Sequence, residues 1–333
     1  MEKKFRSLVV REQEDGSFQR AVEKKAVSDL PEGEVLIRTS FAALNYKDAL
    51  SASGHKGITR EFPHTPGVDA CGIVEECNSD KFKPGDKVIV TGYDFGMNTS
   101  GGFQEYVRVP VNWVVPKPAG LSLKEAMVNG TAGFTAALSL YKMEKIGQSP
   151  EMGEILVTGS TGGVGSMAVG ILAKAGYDVI ATTGKSNAHD HLRSLGAKRI
   201  EDRSYANDDS NRPLLRSKWA GAIDTVGGNT LATCVKACGR KGSVAACGLV
   251  GNHDLNMTVY PFLLNGINIL GVDSAETDMA LREELWTKLA GDWKIDGLED
   301  YGTFIPVEGI IEQMDLILQG ETTGRVVVDF SQR

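Results

Sequence analysis

Several patterns are missing or scarce in this sequence of 333 residues, and each absence argues against a class of protein. No apolar run is long enough to cross a bilayer, and the N-terminal residues lack the apolar core of a secretion signal, which favours a cytoplasmic protein without a membrane partner. The five cysteines are odd in number and scattered, as is typical of reduced thiols. The formal net charge is −7, so a surface basic enough to bind nucleic acid is not expected.

The most informative stretch runs from Glu154 to Ile180, where a short apolar strand meets a glycine cluster and a helix-period apolar pattern follows. Glycines in such a turn let backbone N–H groups and the positive end of a helix approach a phosphate closely. The spacing is G-x-x-G-G-x-G and not G-x-G-x-x-G, so an ordinary turn without a ligand is the alternative. The surrounding strand-helix-strand unit favours a dinucleotide. We expect the pyrophosphate at Ser160, Thr161, Gly162, Gly163 and Val164.

Two kinds of secondary-structure pattern divide the chain. Short strands separated by glycine- and proline-containing turns predict a partly open β-barrel in the first third. Six strands that alternate with helices then predict a doubly wound parallel sheet, an α/β fold. Ser122 with Glu125 marks a helix start. The predicted domains are residues 1–124 for the barrel, 125–295 for the nucleotide domain, and 296–333 for a return segment that completes the barrel.

The last apolar strand of the predicted parallel sheet, near Gly266–Asp273, would leave an exposed edge, which predicts a homodimer.

The residues after the second strand of the nucleotide domain select the cofactor. An Asp or Glu normally stands there and accepts hydrogen bonds from the ribose hydroxyls of NAD. This chain has Thr183, Gly184 and Lys185 at that position, and Arg203 follows the third strand. Hydroxyl and cationic groups suit a 2′-phosphate, which a carboxylate would repel. The pattern therefore favours NADPH; the alternative is that Lys185 is only a solvated loop residue.

With these motifs assembled, the chain resembles the medium-chain dehydrogenase/reductase superfamily, in its zinc-independent quinone-oxidoreductase branch. The resemblance rests on motifs in the expected order over almost the whole chain. They include Leu44-Asn-Tyr-Lys-Asp48, Pro66-Gly-Val-Asp69, Gly130-Thr-Ala-Gly133, Val157-Thr-Gly-Ser-Thr-Gly-Gly-Val-Gly165 and Gly221-Ala-Ile-Asp-Thr-Val-Gly227. The finer match is to a subgroup of acryloyl-CoA reductases (NADPH) and quinone oxidoreductases. It implies a GroES-like barrel and a Rossmann domain.

The resemblance also bears on metal. Zinc members of the superfamily place a cysteine in the first catalytic loop and a histidine followed by glutamate in the second. This chain has Asn45-Tyr46 and Gly67-Val-Asp69 there, and it lacks the four clustered cysteines of a structural zinc site. Because asparagine and tyrosine are poor zinc ligands beside thiolate and imidazole, no metal site is expected.

The candidate catalytic residues are Asn45, Tyr46 and Asp48. Asn45 is the candidate for polarising the substrate carbonyl, and Asp48 for ordering the loop, unless it only caps the helix or pairs with Lys47 at the surface. The resemblance implies that Tyr46 also contacts the cofactor. The fold and the resemblance together add cofactor contacts at Thr131, Leu249, Ser274 and Arg325; for Arg325 a structural ion pair is an equal alternative. No proton donor for the α-carbon is identified, and water remains an option.

The resemblance implies an enzyme that reduces an activated carbon–carbon double bond with NADPH. Acryloyl-CoA, reduced to propanoyl-CoA, is the first candidate substrate. Reduction of a quinone or another enone is the alternative within the same chemistry. A non-catalytic NADPH-binding protein is the alternative of a different class, because dinucleotide binding does not by itself prove turnover.

Overall fold

The computed structural model describes residues 3–332, which form fifteen β-strands and eight α-helices. The strands are β1 (Lys4–Glu12), β2 (Phe18–Ala26), β3 (Val35–Ala43), β4 (Asp69–Cys77), β5 (Lys87–Thr91), β6 (Tyr106–Val109), β7 (Val114–Pro116), β8 (Ile155–Val157), β9 (Val179–Thr182), β10 (Ala197–Glu201), β11 (Gly221–Asp224), β12 (Ser243–Ala246), β13 (Asn268–Gly271), β14 (Gly302–Ile305) and β15 (Arg325–Asp329). The helices are α1 (Tyr46–Ala52), α2 (Leu123–Lys145), α3 (Gly163–Lys174), α4 (His189–Ser194), α5 (Gly228–Lys236), α6 (Tyr260–Asn265), α7 (Met279–Ala290) and α8 (Ile310–Leu318).

The chain divides into two compact units. Unit 1 contains the residues up to Thr131, Ala275–Ala290, and the residues from Gly297 onward; unit 2 contains Ala132–Ser274 and Gly291–Asp296. These units differ from the predicted domains at residues 125–131 and 275–290, which belong with unit 1. Residues 275–290, which include α7, belong with unit 1 because the buried side chain of Arg282 donates hydrogen bonds to the carbonyl oxygens of Thr91 and Ala275, both at 2.9 Å.

Unit 1 is built on a mixed sheet with the strand order β14-β15-β3-β4-β5-β7, and β6 also pairs with β3. The C-terminal strand β15 is buried along its whole length and pairs antiparallel with β3. The C-terminal strand is therefore part of the same sheet as β3 to β7, whereas β1 and β2 pair with each other in a separate two-stranded sheet. Valine and isoleucine side chains from β3, β4, β5 and β6 fill the barrel core. The sequence pattern missed β2, β7 and β14, because β7 and β14 are short and β2 contains the charged run Glu23-Lys24-Lys25 in place of a regular apolar alternation.

Unit 2 is a parallel six-stranded sheet in the order β10-β9-β8-β11-β12-β13. The fold class predicted from the sequence is confirmed by this topology. The strand order reverses between β8 and β11, and dinucleotides bind at the carboxyl ends of strands at such a point. Strand β13 lies at the sheet edge, and the nearby Leu249 and Leu263 are 67% and 75% exposed. The homodimer stays a prediction.

Helix α2 begins where the sequence predicts. The Ser122 hydroxyl accepts a hydrogen bond from the Glu125 N–H at 3.0 Å, and the Glu125 carboxylate accepts one from the Ser122 N–H at 2.7 Å. The helix is interrupted at Gly130, where φ is +50°. None of the helices within residues 3–332 is both long and apolar enough to cross a membrane.

Candidate active site

The glycine turn of unit 2 connects β8 to α3. Gly159 has a φ of +57°, a conformation that favours glycine. A Cβ on Gly165 would lie 2.2 Å from the Gly159 carbonyl oxygen, so any larger residue would push the helix away from the turn. Gly163 and Val164 are the first residues of α3, and N–H groups in the first turn have no acceptor within a helix. Together with the helix dipole, these groups can bind a pyrophosphate.

Two members of the predicted cradle have other roles. The Ser160 N–H donates to the Thr182 carbonyl oxygen at 3.2 Å, and the Ser160 hydroxyl donates to the Val157 carbonyl oxygen at 2.7 Å. The Gly162 N–H donates to the Gly159 carbonyl oxygen at 3.0 Å. The turn uses these two N–H groups to hold its own shape, and the cofactor contacts of Ser160 and Gly162 stay predictions. Thr161, Gly163 and Val164 remain predicted contacts.

A buried carboxylate that the sequence pattern did not single out supports this turn from the neighbouring strand. The Asp224 carboxylate accepts a hydrogen bond from the Thr158 hydroxyl at 2.6 Å and one from the Gly227 N–H at 2.7 Å. Thr225 completes the link, because its N–H donates to the Thr158 hydroxyl and its own hydroxyl donates to the Thr158 carbonyl oxygen, both at 3.0 Å. Burial raises the pKa of Asp224. The sequence signal is the motif from Gly221 to Gly227, in which this acid ends a buried strand.

The residues predicted to recognise a 2′-phosphate lie together at the carboxyl ends of β9 and β10. The position of a Cβ on Gly184 would be 2.4 Å from Nη2 and 2.6 Å from Nε of Arg203, so the guanidinium lies directly against this glycine. The Lys185 N–H donates to the Thr183 hydroxyl at 3.0 Å. The adjacent acid, Asp202, accepts from the Ser204 N–H at 2.9 Å as the cap of a short 3₁₀ helix. This set of donors fits the 2′-phosphate of NADPH.

The candidate catalytic residues of unit 1 surround a buried carboxyl group. Asn45 caps α1, and its N–H donates to Oδ2 of Asp48 at 2.8 Å. The other carboxylate oxygen, Oδ1, accepts from the Val68 N–H at 2.9 Å, so Asp48 joins the start of α1 to the segment before β4. Asp48 is fully buried, and burial followed by the nearby Asp69 raises its pKa to about 7. The alternative of a surface pair with Lys47 is wrong.

A second buried carboxylate, Asp69, was missed as a site residue although its motif Pro66-Gly-Val-Asp69 was noted. Its carboxylate accepts hydrogen bonds from the Asn45 amide at 2.8 Å and from the Thr131 hydroxyl at 2.6 Å, and the Thr131 N–H lies 2.9 Å from both oxygens. Nη2 of Arg325 lies 3.6 Å from Oδ2. Burial raises the pKa of Asp69, and the Arg325 charge acts in the opposite direction. Because each group hydrogen-bonded to the Asp69 carboxylate is a donor, the ionised form of Asp69 fits this site.

Three sequence predictions change as a result. Asn45 is unsuited to polarise a substrate carbonyl, because its amide hydrogens already go to Asp69 and, at 3.3 Å, to the Ala43 carbonyl oxygen. The Thr131 hydroxyl donates to Asp69 and is not a free donor for a cofactor. Arg325 is 2% exposed and forms the structural ion pair, so the predicted contact with a phosphate is wrong. Its guanidinium also donates to the carbonyl oxygens of Val128 and Leu44, at 3.0 and 3.1 Å.

The remaining predicted residues differ in exposure. Tyr46 is the first residue of α1, directly after Asn45, and it is 38% exposed. Its hydroxyl makes no hydrogen bond to any protein group within residues 3–332. Ser274 accepts a hydrogen bond from the Thr135 hydroxyl at 2.8 Å within unit 2, and Leu249 projects into solvent. The cofactor contacts of Tyr46, Leu249 and Ser274 stay predictions.

Comparison with known proteins places this geometry in a family. A model of the alcohol dehydrogenase GroES-like domain matches residues 31–119, and one of zinc-binding dehydrogenases matches residues 163–289. The acrylyl-CoA reductase AcuI of Ruegeria pomeroyi is 43% identical over 98% of this chain and 99% of its own length. YhfP of Bacillus subtilis, named as a quinone oxidoreductase, is 44% identical over 92% of this chain and 94% of its own length. The chain belongs to the medium-chain dehydrogenase/reductase family.

Solved structures of this family agree with the fold. The YhdH oxidoreductase of Salmonella enterica in complex with NADP has a TM-score of 0.94 and 41% identity, covering 98% of this chain and 99% of its own. YhfP with NAD bound has a TM-score of 0.96 and 42% identity, covering 98% of this chain and 100% of its own. NADP is thus bound by one medium-chain relative and NAD by another, and each is similar to this chain over nearly its whole length.

Zinc, which one of the two family models names, does not fit the residues of unit 1. Zinc sites are built from cysteine, histidine and carboxylate groups. Of these groups, the carboxylates of Asp48 and Asp69 are buried among backbone, amide and hydroxyl donors, and Arg325 places a positive charge 3.6 Å from Asp69. No group of three or more His, Cys, Asp or Glu side chains in the described part of the chain could hold a metal ion.

Proposed function

We propose that this chain is an NADPH-dependent, metal-free reductase of activated carbon–carbon double bonds, with acryloyl-CoA as its substrate. The overall reaction is acryloyl-CoA, NADPH and one proton giving propanoyl-CoA and NADP⁺. The class, an oxidoreductase of the medium-chain family, rests on the family match. The double-bond chemistry, the substrate and the absence of metal are the proposal.

The observation that carries the proposal is the donor network of unit 1. Where zinc relatives place their ligands, this chain has Asn45 and Asp69 joined by a hydrogen bond and closed off by Arg325. Asn45 is a poor zinc ligand and the Asp69 carboxylate is engaged by Asn45 and Arg325, which supports a mechanism without a Lewis acid, whereas Tyr46, 38% exposed, stands on the same loop. Reduction of an enoyl thioester needs hydrogen bonds to the carbonyl oxygen, where enolate charge develops, and no metal is required for this.

Each unit has a separate task in this proposal. In unit 2 the first turn of α3 would bind the pyrophosphate, and Arg203 with Lys185 would bind the 2′-phosphate. When bound, NADPH supplies a hydride from C4 of its nicotinamide to the β-carbon. In unit 1 Tyr46 would donate its hydroxyl hydrogen to the thioester oxygen. The hydrogen bonds from Asn45 and Val68 to Asp48 would hold the loop that carries Tyr46, so that the donor is oriented before the reaction begins.

Reduction of a quinone or another enone is the second candidate. The name of YhfP favours it, and so does the hydroxyl of Tyr46, which could bind any carbonyl oxygen. A third possibility is a protein that binds NADPH and catalyses nothing. Each of the three predicts a different pattern of NADPH oxidation when the two kinds of substrate are added separately.

The deciding experiment measures the loss of NADPH absorbance with acryloyl-CoA and with a quinone on the same purified protein. We expect turnover with acryloyl-CoA and little with the quinone. The Tyr46→Phe variant should lose about 100-fold in kcat, as for the removal of one oxyanion donor. Turnover of the quinone alone would select the second candidate. Tight NADPH binding with no turnover of either substrate would refute catalysis.

A further inference from the structure

Lys47 is a half-buried cation without a carboxylate partner. It follows Tyr46 on α1, and its only described contact is from Nζ to Sδ of Met97, at 3.9 Å. The nearest acid in sequence, Asp48, turns into the interior and accepts hydrogen bonds from the Asn45 and Val68 N–H groups. Within residues 3–332, no Asp or Glu oxygen lies within ion-pair distance of Lys47. The charge on Lys47 is therefore available to a ligand.

A second exposed cation, Arg60, lies beside the same segment. Its N–H lies 3.4 Å from the Asn98 side-chain oxygen, while its guanidinium has no partner in the described chain. The preceding Thr59 hydroxyl donates to the Met97 carbonyl oxygen at 2.7 Å. Nζ of Lys47 contacts Met97, and the backbone N–H of Arg60 lies beside Asn98, so the two cationic residues border one pair of neighbouring residues. The hydroxyls of Thr59 and Ser51 lie 2.7 Å apart, which joins this turn to α1.

The local carboxylates do not neutralise these charges. Asp94, in the loop that contains Met97 and Asn98, accepts hydrogen bonds from the Asn98 amide and the Thr99 hydroxyl, both at 3.0 Å. By contrast, Lys56 pairs with Glu12 at 2.6 Å, so a neighbouring lysine in the same region is neutralised. In a chain with a net charge of −7, Lys47 beside Tyr46 and Arg60 at the neighbouring loop are two cationic residues without a carboxylate partner, and such charges attract anions.

We propose that Lys47 and Arg60 bind the phosphate groups of a coenzyme A thioester. This inference rests on the proposed function, because Tyr46 marks the position of the acyl group. The phosphates of coenzyme A are separated from the thioester by the pantetheine arm, so cations that bind them belong on the outer side of the reactive loop. A quinone has no such anionic arm and gains nothing from these two cations.

The test compares two substrates that share the acryloyl thioester, namely acryloyl-CoA and acryloyl-N-acetylcysteamine, which lacks every phosphate. The variants are Lys47→Ala, Arg60→Ala and the double variant, with Lys56→Ala as the matched control. Each single change should raise KM for acryloyl-CoA about 3- to 10-fold, the size of a partly screened hydrogen bond to a charged group. KM for the truncated thioester and kcat for both substrates should stay within about twofold.

Salt gives an independent readout. The KM of the wild type for acryloyl-CoA should rise with ionic strength, and this rise should flatten in the double variant, because exposed charge pairs are screened. The inference is overturned if the variants affect both thioesters equally or neither. It falls together with the proposed function if the wild type reduces a quinone but not acryloyl-CoA. Reduction of acryloyl-CoA with an unchanged KM in the double variant overturns the inference alone.

Discussion

The cofactor preference of unit 2 can be tested at one side chain, Arg203. Its guanidinium lies against Gly184, at the end of the strand where NAD-specific proteins place an acid. Replacement by alanine removes charge-assisted donors from the position proposed for the 2′-phosphate, while the ribose hydroxyls of NADH make no use of such donors. The Arg203→Ala variant should therefore lose affinity for NADPH and retain its affinity for NADH.

The magnitude follows from the number and type of the contacts. A hydrogen bond to a charged group contributes about 1.5–3 kcal/mol, which corresponds to a loss of about 10- to 150-fold in NADPH affinity. The Lys185→Ala, Arg203→Ala double variant should lose more NADPH affinity than either single variant. The loss should differ from the product of the two single losses, because both cations would bind the same phosphate. In Gly184→Ala the new methyl group would meet the guanidinium at 2.4 Å. Since that is the mobile end of a side chain, a smaller and equally NADPH-specific loss is expected.

Fluorescence titration of each variant with NADPH and NADH measures both affinities directly. Arg193→Ala is a matched control, because Arg193 is an exposed arginine of the same unit that pairs with Asp190 at 3.2 Å. The control should bind both dinucleotides as the wild type does. An equal loss for NADPH and NADH in Arg203→Ala would mean that the guanidinium supports the fold and does not recognise the 2′-phosphate. The reasoning from the end of β9 would then be refuted.

Three further outcomes concern unit 1 and assembly. Arg325→Met should lower the free energy of unfolding, measured in urea, by about 3–5 kcal/mol, because Asp69 stays buried without its cation. Adding Asp69→Asn should restore part of this free energy. A loss of less than about 1 kcal/mol in Arg325→Met would contradict the pairing. Because burial raises the pKa of Asp48 to about 7, the folded protein holds a proton that the unfolded chain releases near pH 4. The contribution of Asp48 to the free energy of unfolding should fall by about 1.4 kcal/mol per pH unit between about pH 5 and 7 and then level off. His64 contributes in the opposite direction, because burial lowers its pKa. Subtracting the pH profile of the Asp48→Asn variant from that of the wild type removes this contribution of His64. Light scattering at micromolar concentration should show a homodimer, which Leu263→Glu would dissociate; a monomeric wild type would contradict the prediction.

Much of unit 2 is readable from sequence because its signals are local. An apolar run, a glycine turn and a helix-period pattern succeed one another between Ile155 and Lys174, and each is set by neighbouring residues. The missing acid after β9 is local as well. The pattern could not show which N–H groups form hydrogen bonds within the turn. The acceptors of the Ser160 and Gly162 N–H groups, which are the carbonyl oxygens of Thr182 and Gly159, are known only from the folded structure.

By itself, the sequence determined the two-part fold and the loss of the usual zinc ligands, and it predicted the preference for NADPH, since each depends on residue types at short range. Only the tertiary structure decided what the polar residues of unit 1 do. Asp69 and Arg325 are far apart in sequence and meet because β15 returns to the sheet beside β3. Asp69 engages the amide of Asn45, while Tyr46, the next residue, is 38% exposed. Polar residues that were equally good candidates in the sequence have different environments in the fold, because strands distant in sequence pack around them.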